Sequence, residues 1–271
     1  MRSAGLHLSV ITVSHGHDAY LRPCLDSLAR GLDGLEVEVL LVDNLGTGRL
    51  SEIVGHVGLP LRLHDNARPE GFAGNINRAA RRARGRYLLL LNPDTQLLKG
   101  QVPDALAFME RTPDAGVLGC RLLNADGSVQ GSYRRFPTLH VILARGLGAD
   151  GWPLRPAFYR RALMMGTPLT SPARVDWVFG AFMLIPREVF HAVGGMDERF
   201  RLYYEDVDLC YRLRQRGLAA YYWPAIEVLH HHARTSARRP FGAHWRWHVR
   251  SACRFLWKHR NGRRAGQPSV P

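Results

Sequence analysis

Several acidic and imidazole side chains stand where apolar runs end, which is where a strand can hand a side chain to a ligand. Residues 87–98, YLLLLNPDTQLL, carry five apolar-rich positions into Asn92, Pro93 and Asp94. All three favour turns by their backbone preferences, so a plain turn accounts for the stretch. The alternative is that the strand presents the Asp94 carboxylate, behind a stiff proline, to a ligand at the edge of the sheet. Asp43 closes VEVLLVDN in the same manner and leaves the same two readings open. Further on, YYEDVDLC places Glu205, Asp206 and Asp208 close together. Carboxylates at a helix N-terminus offset its dipole, which suits Asp208. The adjacent Glu205 and Asp206 repel each other unless metal, arginine or water relieves them. His230, His231 and His232 end another apolar run. A lone histidine is usually structural, but three at a strand end, in a chain with a metal-ready aspartate, point to one metal ligand.

The elements that must position these groups are readable in outline. Apolar runs LSVITVS, VEVLLVDN, LRLHDN and YLLLLNPD alternate with helical segments, DAYLRPCLDSLARGL and GFAGNINRAARRARG. In the first helix Tyr20, Leu21, Cys24, Leu25 and Leu28 recur at three- and four-residue spacing, with Asp18 as N-cap and Gly31 as stop. Strands rich in Val, Ile and Leu alternating with helices predict a parallel sheet covered on both faces. Ligands of such sheets bind beyond the carboxyl ends of the strands, which places Ser14, Asp43 and Asp94 along one rim. No GxGxxG or GxxxxGK[ST] follows any strand, so dinucleotide and P-loop readings fall away. From about residue 116 the pattern changes. Asp126-Gly127 signals a hairpin, residues 138–174 read as a long aperiodic excursion, and VDWVFGAFMLIP returns to β-prone order. A short helix ended by paired glycines follows, then a helix with Val207, Cys210 and Leu213 buried and Gly217 as its stop. The division expected is one domain over 1–236, with a nucleotide-sized crevice in its half at 1–115 and a second half at 116–236, and a basic tail over 237–271.

The 271 residues, 46% of them hydrophobic, suffice for a full core. No apolar run approaches the roughly 20 residues needed to cross a bilayer, and the N-terminus reads as a first strand, not a signal peptide. The four cysteines are scattered without a CxxC pair, which argues against a metal-cysteine or disulfide framework and for a reducing, cytoplasmic setting. A net charge of +14 implies an anionic partner: nucleic acid, phosphorylated small molecules or an acidic membrane surface. In HWRWHVRSACRFLWKHR, Trp245, Val249, Ala252 and Leu256 share a helical face, with Arg246, Arg250, Arg254 and Lys258 beside it. Such a helix suits an anionic membrane interface and suits packing on the domain equally.

Taken in order, the segments from Leu8 to about Ser236 resemble the inverting family 2 glycosyltransferases of the GT-A fold, in particular their rhamnosyltransferase-like bacterial members. The resemblance is carried by LSVITVS, VEVLLVDN, GFAGNINRAARRARGRYLLLLNPDT, GVLGCRLLNADGSVQGSYRRFP, VDWVFGAFMLIPREVFHAVGGMDERFRLYYEDVDLCYRLRQRG and VLHHHARTS. It implies an α/β fold, with a mostly parallel central sheet flanked by helices and a mixed β region on the acceptor side. It implies a divalent cation, Mg²⁺ or Mn²⁺, held by Asp94 and His230 against a dTDP- or UDP-linked donor. Asp43 would contact the base, with Ser14, Asn75, Asn77 and Asn92 on the donor side. Trp177, Gly180 and Ala181 would line the sugar, Asp206 would be the catalytic base and Glu205 would support it. The acceptor implied is a glycan, free or linked to polyprenyl diphosphate, at the cytoplasmic face of the membrane. VSHGH and LGTGR depart from the family pattern near the base and ribose. Two rivals, a nucleic-acid-binding protein and a non-catalytic carbohydrate-binding relative, leave the rim carboxylates and the paired acids unexplained.

Overall fold

The computed structural model describes residues 6–55, 57–166, 168–231 and 243–260. The first apolar runs form β1 (Leu8–Ser14), β2 (Val37–Asp43), β3 (Leu61–Asp65) and β4 (Tyr87–Leu91), separated by α1 (Asp18–Gly31), α2 (Leu50–Val54) and α3 (Phe72–Arg82). β1, β2 and β4 are buried along their whole length, which is why they read as continuous runs and not alternations. These four strands pair in parallel in the order β3-β2-β1-β4. His17, not Asp18, stands at the N-cap of α1, and Gly31 is the last residue of that helix. Its role is close packing, since a Cβ there would collide with the Leu97 side chain.

The chain continues through β5 (Thr95–Lys99), α4 (Val102–Arg111), β6 (Ala115–Leu123), β7 (Val129–Gln130) and β8 (Tyr133–Arg134). β6 and β7 form the hairpin expected at Asp126-Gly127, with Gly127 at φ 78°. Then come α5 (Leu139–Gly146), α6 (Ala157–Ala162), β9 (Ala173–Val175), β10 (Trp177–Val178), β11 (Phe182–Pro186), α7 (Arg187–Ala192), α8 (Glu205–Gln215), β12 (Ala219–His230) and α9 (Ala243–Lys258). β11 enters antiparallel beside β4, and the sheet runs on through β6 and β12 to β5. The two sequence halves therefore share one sheet. One face is covered by α3, α8 and α9, through Ile76, Val207, Leu213 and Phe255, and the other by α1 and α4, through Leu21, Leu25, Leu106 and Met109.

Two expectations are corrected here. Residues 138–174 are no aperiodic excursion: α5, a 3-10 turn at Ala149–Gly151 and α6 pack around Val141, Ala144, Ala149, Tyr159 and Ala162. Helices of eight and six residues are too short to display a period, and tertiary packing stabilises them. An Arg145–Asp150 ion pair at 3.3 Å and a Tyr159 hydroxyl donating to Asp150 at 2.7 Å close the unit.

The second correction concerns α9, whose docked face is rotated from the one the apolar spacing gave. Ser251, Ala252, Phe255 and His259 are buried, whereas Val249 and Leu256 are only half-buried. Lys258 leaves the arginine row, its Nζ standing 2.6 Å from Asp208 Oδ1 and 2.7 Å from Asp197 Oδ2. His259 Nε2 at 2.8 Å and Arg212 Nε at 2.7 Å complete a ring of nitrogens around Asp208. Asp208 is fully buried. These partners outweigh its desolvation and hold its carboxyl below the usual range. Asp208 is thus an anchor for α9 more than a dipole offset. His232, the chain from 233 to 242 and the side chain of Trp245 lie outside the described residues.

Candidate active site

β4 leaves the core at Leu91, and the chain turns at once. The Asn92 amide donates to Ala181 O at 3.0 Å, and the Thr95 hydroxyl donates to Asn92 O at 2.6 Å. The NPD stretch is a turn, and the turn is what brings Asp94 to His230. The register of β12 on β5 sets His230 opposite Thr95, and the His231 amide donates to Asp94 O at 3.0 Å. His230 Nε2 then stands 3.5 Å from Asp94 Oδ1, with both residues buried. Gln130 fixes the imidazole, donating through Nε2 to His230 O at 2.7 Å and placing Oε1 3.0 Å from His230 Nδ1. An amide oxygen only accepts, so Nδ1 carries a hydrogen, and in the neutral imidazole the lone pair is then on Nε2, the nitrogen that faces Asp94. His231 is placed differently, with Gln96 Nε2 at 3.1 Å and its ring 5.0 Å from that of Tyr20.

A divalent cation fits this pair. Oxygen and nitrogen ligands about 2.0–2.2 Å from a common ion can stand 3.5 Å apart. No group of three His, Cys, Asp or Glu side chains suited to a metal exists among the described residues. Such a site would keep positions for diphosphate oxygens and water, as magnesium sites usually do.

The second pair of acids opens α8. Tyr203 and Tyr204 precede it with φ of 67° and 70°, a left-handed backbone that costs bulky residues energy and clusters at functional sites. The Asp206 carboxylate accepts from the Gly180 amide at 3.0 Å and from the Val207 amide at 2.8 Å. Glu205 is buried, and its Oε2 has no hydrogen-bond partner. Burial first, and the neighbouring Asp206 second, push the Glu205 carboxyl up to about 8. Burial also raises Asp206, against the pull of the two amides and of Arg134. The N–H donors favour the ionised form at Asp206 over Glu205, whose Oε2 has none. The Gly180–Ala181 turn ties the two acidic centres together, since its amide holds Asp206 and its carbonyl holds Asn92.

The remaining expected residues separate. Ser14 is buried at the end of β1, opposite Asp43 in register, its Oγ accepting from the His17 amide at 3.3 Å. Asp43 is engaged by its own turn, accepting from Leu45 N at 2.9 Å, Thr47 N at 2.7 Å and Thr47 Oγ1 at 2.6 Å. Asn75 is knotted with Asn44 and Asn66 in a buried cluster of side-chain amides. Asn77 stands apart from that cluster. Two residues apart on α3 it points about 200° away from Asn75, and it exchanges hydrogen bonds with Met196 N and O and with Glu198. Trp177 is buried, donates to Arg135 O at 3.0 Å and stacks on Phe179 at 5.1 Å, so it supports a neighbouring ring. Sequence reasoning gave no role to Gln130, Asn44, Asn66, His17 or Arg134. His17 feels the Asp94 charge, and VSHGH marked the place; the others carried no local signal.

The arrangement defines a class: a GT-A α/β fold with a metal-ready pair and a base-ready pair facing one rim. The profile of Glycosyl transferase family 2 matches residues 9–190, and the chain belongs to that family. An N-acetylglucosaminyl-diphospho-decaprenol L-rhamnosyltransferase of Mycobacterium tuberculosis is 31% identical over 273 residues, covering 94% of this chain and 85% of the relative. The rhamnosyltransferase WbbL of Escherichia coli K12 is 30% identical over 261 residues and covers 93% of both chains. Among solved structures, GalNAc-T7 with UDP, GalNAc and Mn²⁺ superposes with a TM-score of 0.62 at 19% identity, over 84% of this chain and 44% of that one. A Pyrobaculum calidifontis mannosyltransferase with GDP-Man and Mn²⁺ gives 0.58 at 17% identity, over 99% and 67%. At such identities the structures establish the shared fold.

Proposed function

We propose that this glycosyltransferase moves rhamnose, with inversion, from a dTDP- or UDP-linked donor to a hydroxyl of a glycan carried on polyprenyl diphosphate. The observation that carries the reading is the Gly180–Ala181 turn, which joins the Asp94–His230 pair to Asp206 through two backbone hydrogen bonds. The names of the relatives similar over nearly the whole chain supply the sugar and the acceptor class. Asp94 and His230 would hold Mg²⁺ or Mn²⁺, which supplies charge neutralisation for a departing diphosphate. Asp206 takes the proton of the acceptor hydroxyl, a poor nucleophile until it is deprotonated. Attack from the face opposite the leaving group inverts the anomeric centre. Glu205, neutral beside it, offers a proton-bearing carboxyl for an acceptor hydroxyl to bond. No helix among the described residues is long and apolar enough to cross a membrane. We read the chain as a peripheral enzyme on the anionic inner face of the cytoplasmic membrane, with no nucleic-acid role.

Calorimetry of dTDP and UDP with Mn²⁺ tests the metal pair. Asp94→Ala and excess EDTA should each weaken nucleotide binding at least about tenfold. Unchanged affinity under both conditions rules the metal role out. NMR of the product formed from a dTDP-rhamnose donor should show the inverted anomer, and retention would contradict the assignment of Asp206.

A further inference from the structure

The site holds one cation that neither the metal pair nor the base pair accounts for. Arg134 ends β8, opposite Trp177 in β10. Its guanidinium lies over the Phe179 ring at 5.0 Å from the centroid, and that ring is stacked on Trp177. The next residue, Gly180, is the one whose amide holds Asp206. The Arg134 charge therefore sits one aromatic ring from the residue that positions the base. Its Nε is sealed from solvent without a hydrogen bond, and no carboxylate among the described residues forms an ion pair with it. The acid of that neighbourhood, Asp150, is already committed to Arg145 and to the Tyr159 hydroxyl. Burial, then the nearby Arg145, hold the Arg134 guanidinium down to about 10. His248 on α9 falls to about 4, by burial and then by Arg145. A buried donor without a partner is uncommon in folded proteins and calls for a ligand or other compensation, and here a second guanidinium, Arg145, stands near it, with Asp150 and Asp206 the carboxylates within its field.

We propose that Arg134, backed by Arg145, binds the diphosphate of the acceptor. The proposal rests on the transfer reading above and adds the group that recognises the acceptor's anion. The donor's diphosphate is claimed by Asp94 and His230 beyond Ala181, whereas Arg134 lies on the Asp206 side of that turn. An acceptor sugar bearing diphosphate on its anomeric carbon carries that anion one sugar ring away from its reacting hydroxyl. A guanidinium presents paired N–H donors matched to phosphate oxygens.

The test is a selectivity ratio. Wild type and R134Q are assayed with one dTDP-sugar donor on two acceptors bearing the same sugar. In one the sugar is joined through diphosphate to a short prenyl chain; the other is a neutral alkyl glycoside. Wild type should favour the diphosphate acceptor in kcat/KM by about 10- to 100-fold, the size of one or two charge-assisted hydrogen bonds. R134Q should bring the ratio near one, R145Q should lower it less, and R134K should fall between. Because both acceptors share the base and the donor, effects on either cancel in the ratio, and R134K keeps the test open if R134Q does not fold. A wild-type ratio in R134Q and R134K overturns the proposal alone. Absence of transfer by wild type to either acceptor, with dTDP bound, overturns the transfer reading and this proposal with it.

Discussion

Glu205 and Asp206 are neighbours in sequence with opposite duties, and the difference lies in which backbone amides reach them. Asp206 has two N–H donors; Glu205 Oε2 has none. Asp206→Asn keeps the shape and removes the proposed basic site, so turnover should fall about 10²- to 10⁴-fold, while nucleotide affinity, which the proposed role of Asp94 would set, should change little. The acid limb of kcat should lie above the ordinary aspartate value of about 3.9, because burial raises Asp206. Glu205 has a stability signature of its own. Its folded pKa is raised, so its contribution is complete below its unfolded value of about 4.3 and is lost as pH climbs toward about 8. Glu205→Gln, a mimic of the protonated acid, should flatten the decline of melting temperature across that window. An equally steep decline in the variant would remove Glu205 as its source. EDVD disclosed the acids and their repulsion; which of the two stays ionised depended on Gly180, far away in sequence and invisible to local spacing.

At the scale of elements, α9 shows where periodicity stops. The three- and four-residue spacing announced an amphipathic helix correctly, but several apolar residues lie on flanks of the buried arc, and a period alone cannot rank them. The orientation is set by polar anchoring: Lys258, His259 and Arg212 converge on buried Asp208, two residues beyond Asp206. Lys258→Met removes one cation shared by Asp208 and Asp197, and chemical denaturation should register a loss of about 1–3 kcal/mol. No change would mean that Arg212 and His259 suffice to hold Asp208. The short helices α5 and α6 were illegible for a different reason, since their packing depends on Asp150 and Tyr159 lying within one unit rather than on any repeat. Strands β1, β2 and β4 were legible because complete burial writes itself as an unbroken apolar run.

At the scale of the whole molecule, the docking of α9 fixes which face is offered outward. The exposed side carries Arg246, Arg250, Arg260 and a Trp257 that is 65% exposed, beneath a net charge of +14. Binding to anionic vesicles should therefore be electrostatic and fade as salt shortens the screening length. Replacing Arg246, Arg250 and Arg260 with Gln should abolish vesicle pelleting; retention of pelleting in that variant would place the contact elsewhere. The sheet order has a further consequence, for synthesis. β5 is made directly after β4, yet among the described residues its one partner in the sheet is β12, which arrives more than 100 residues later. A ribosome has thus displayed Asp94 and an unpaired edge long before His230 emerges to close both. Until then the nascent chain has the packing of α1 on β5 to shield an edge that invites wrong partners, and the Asp94–His230 pair is among the last features of the fold to exist.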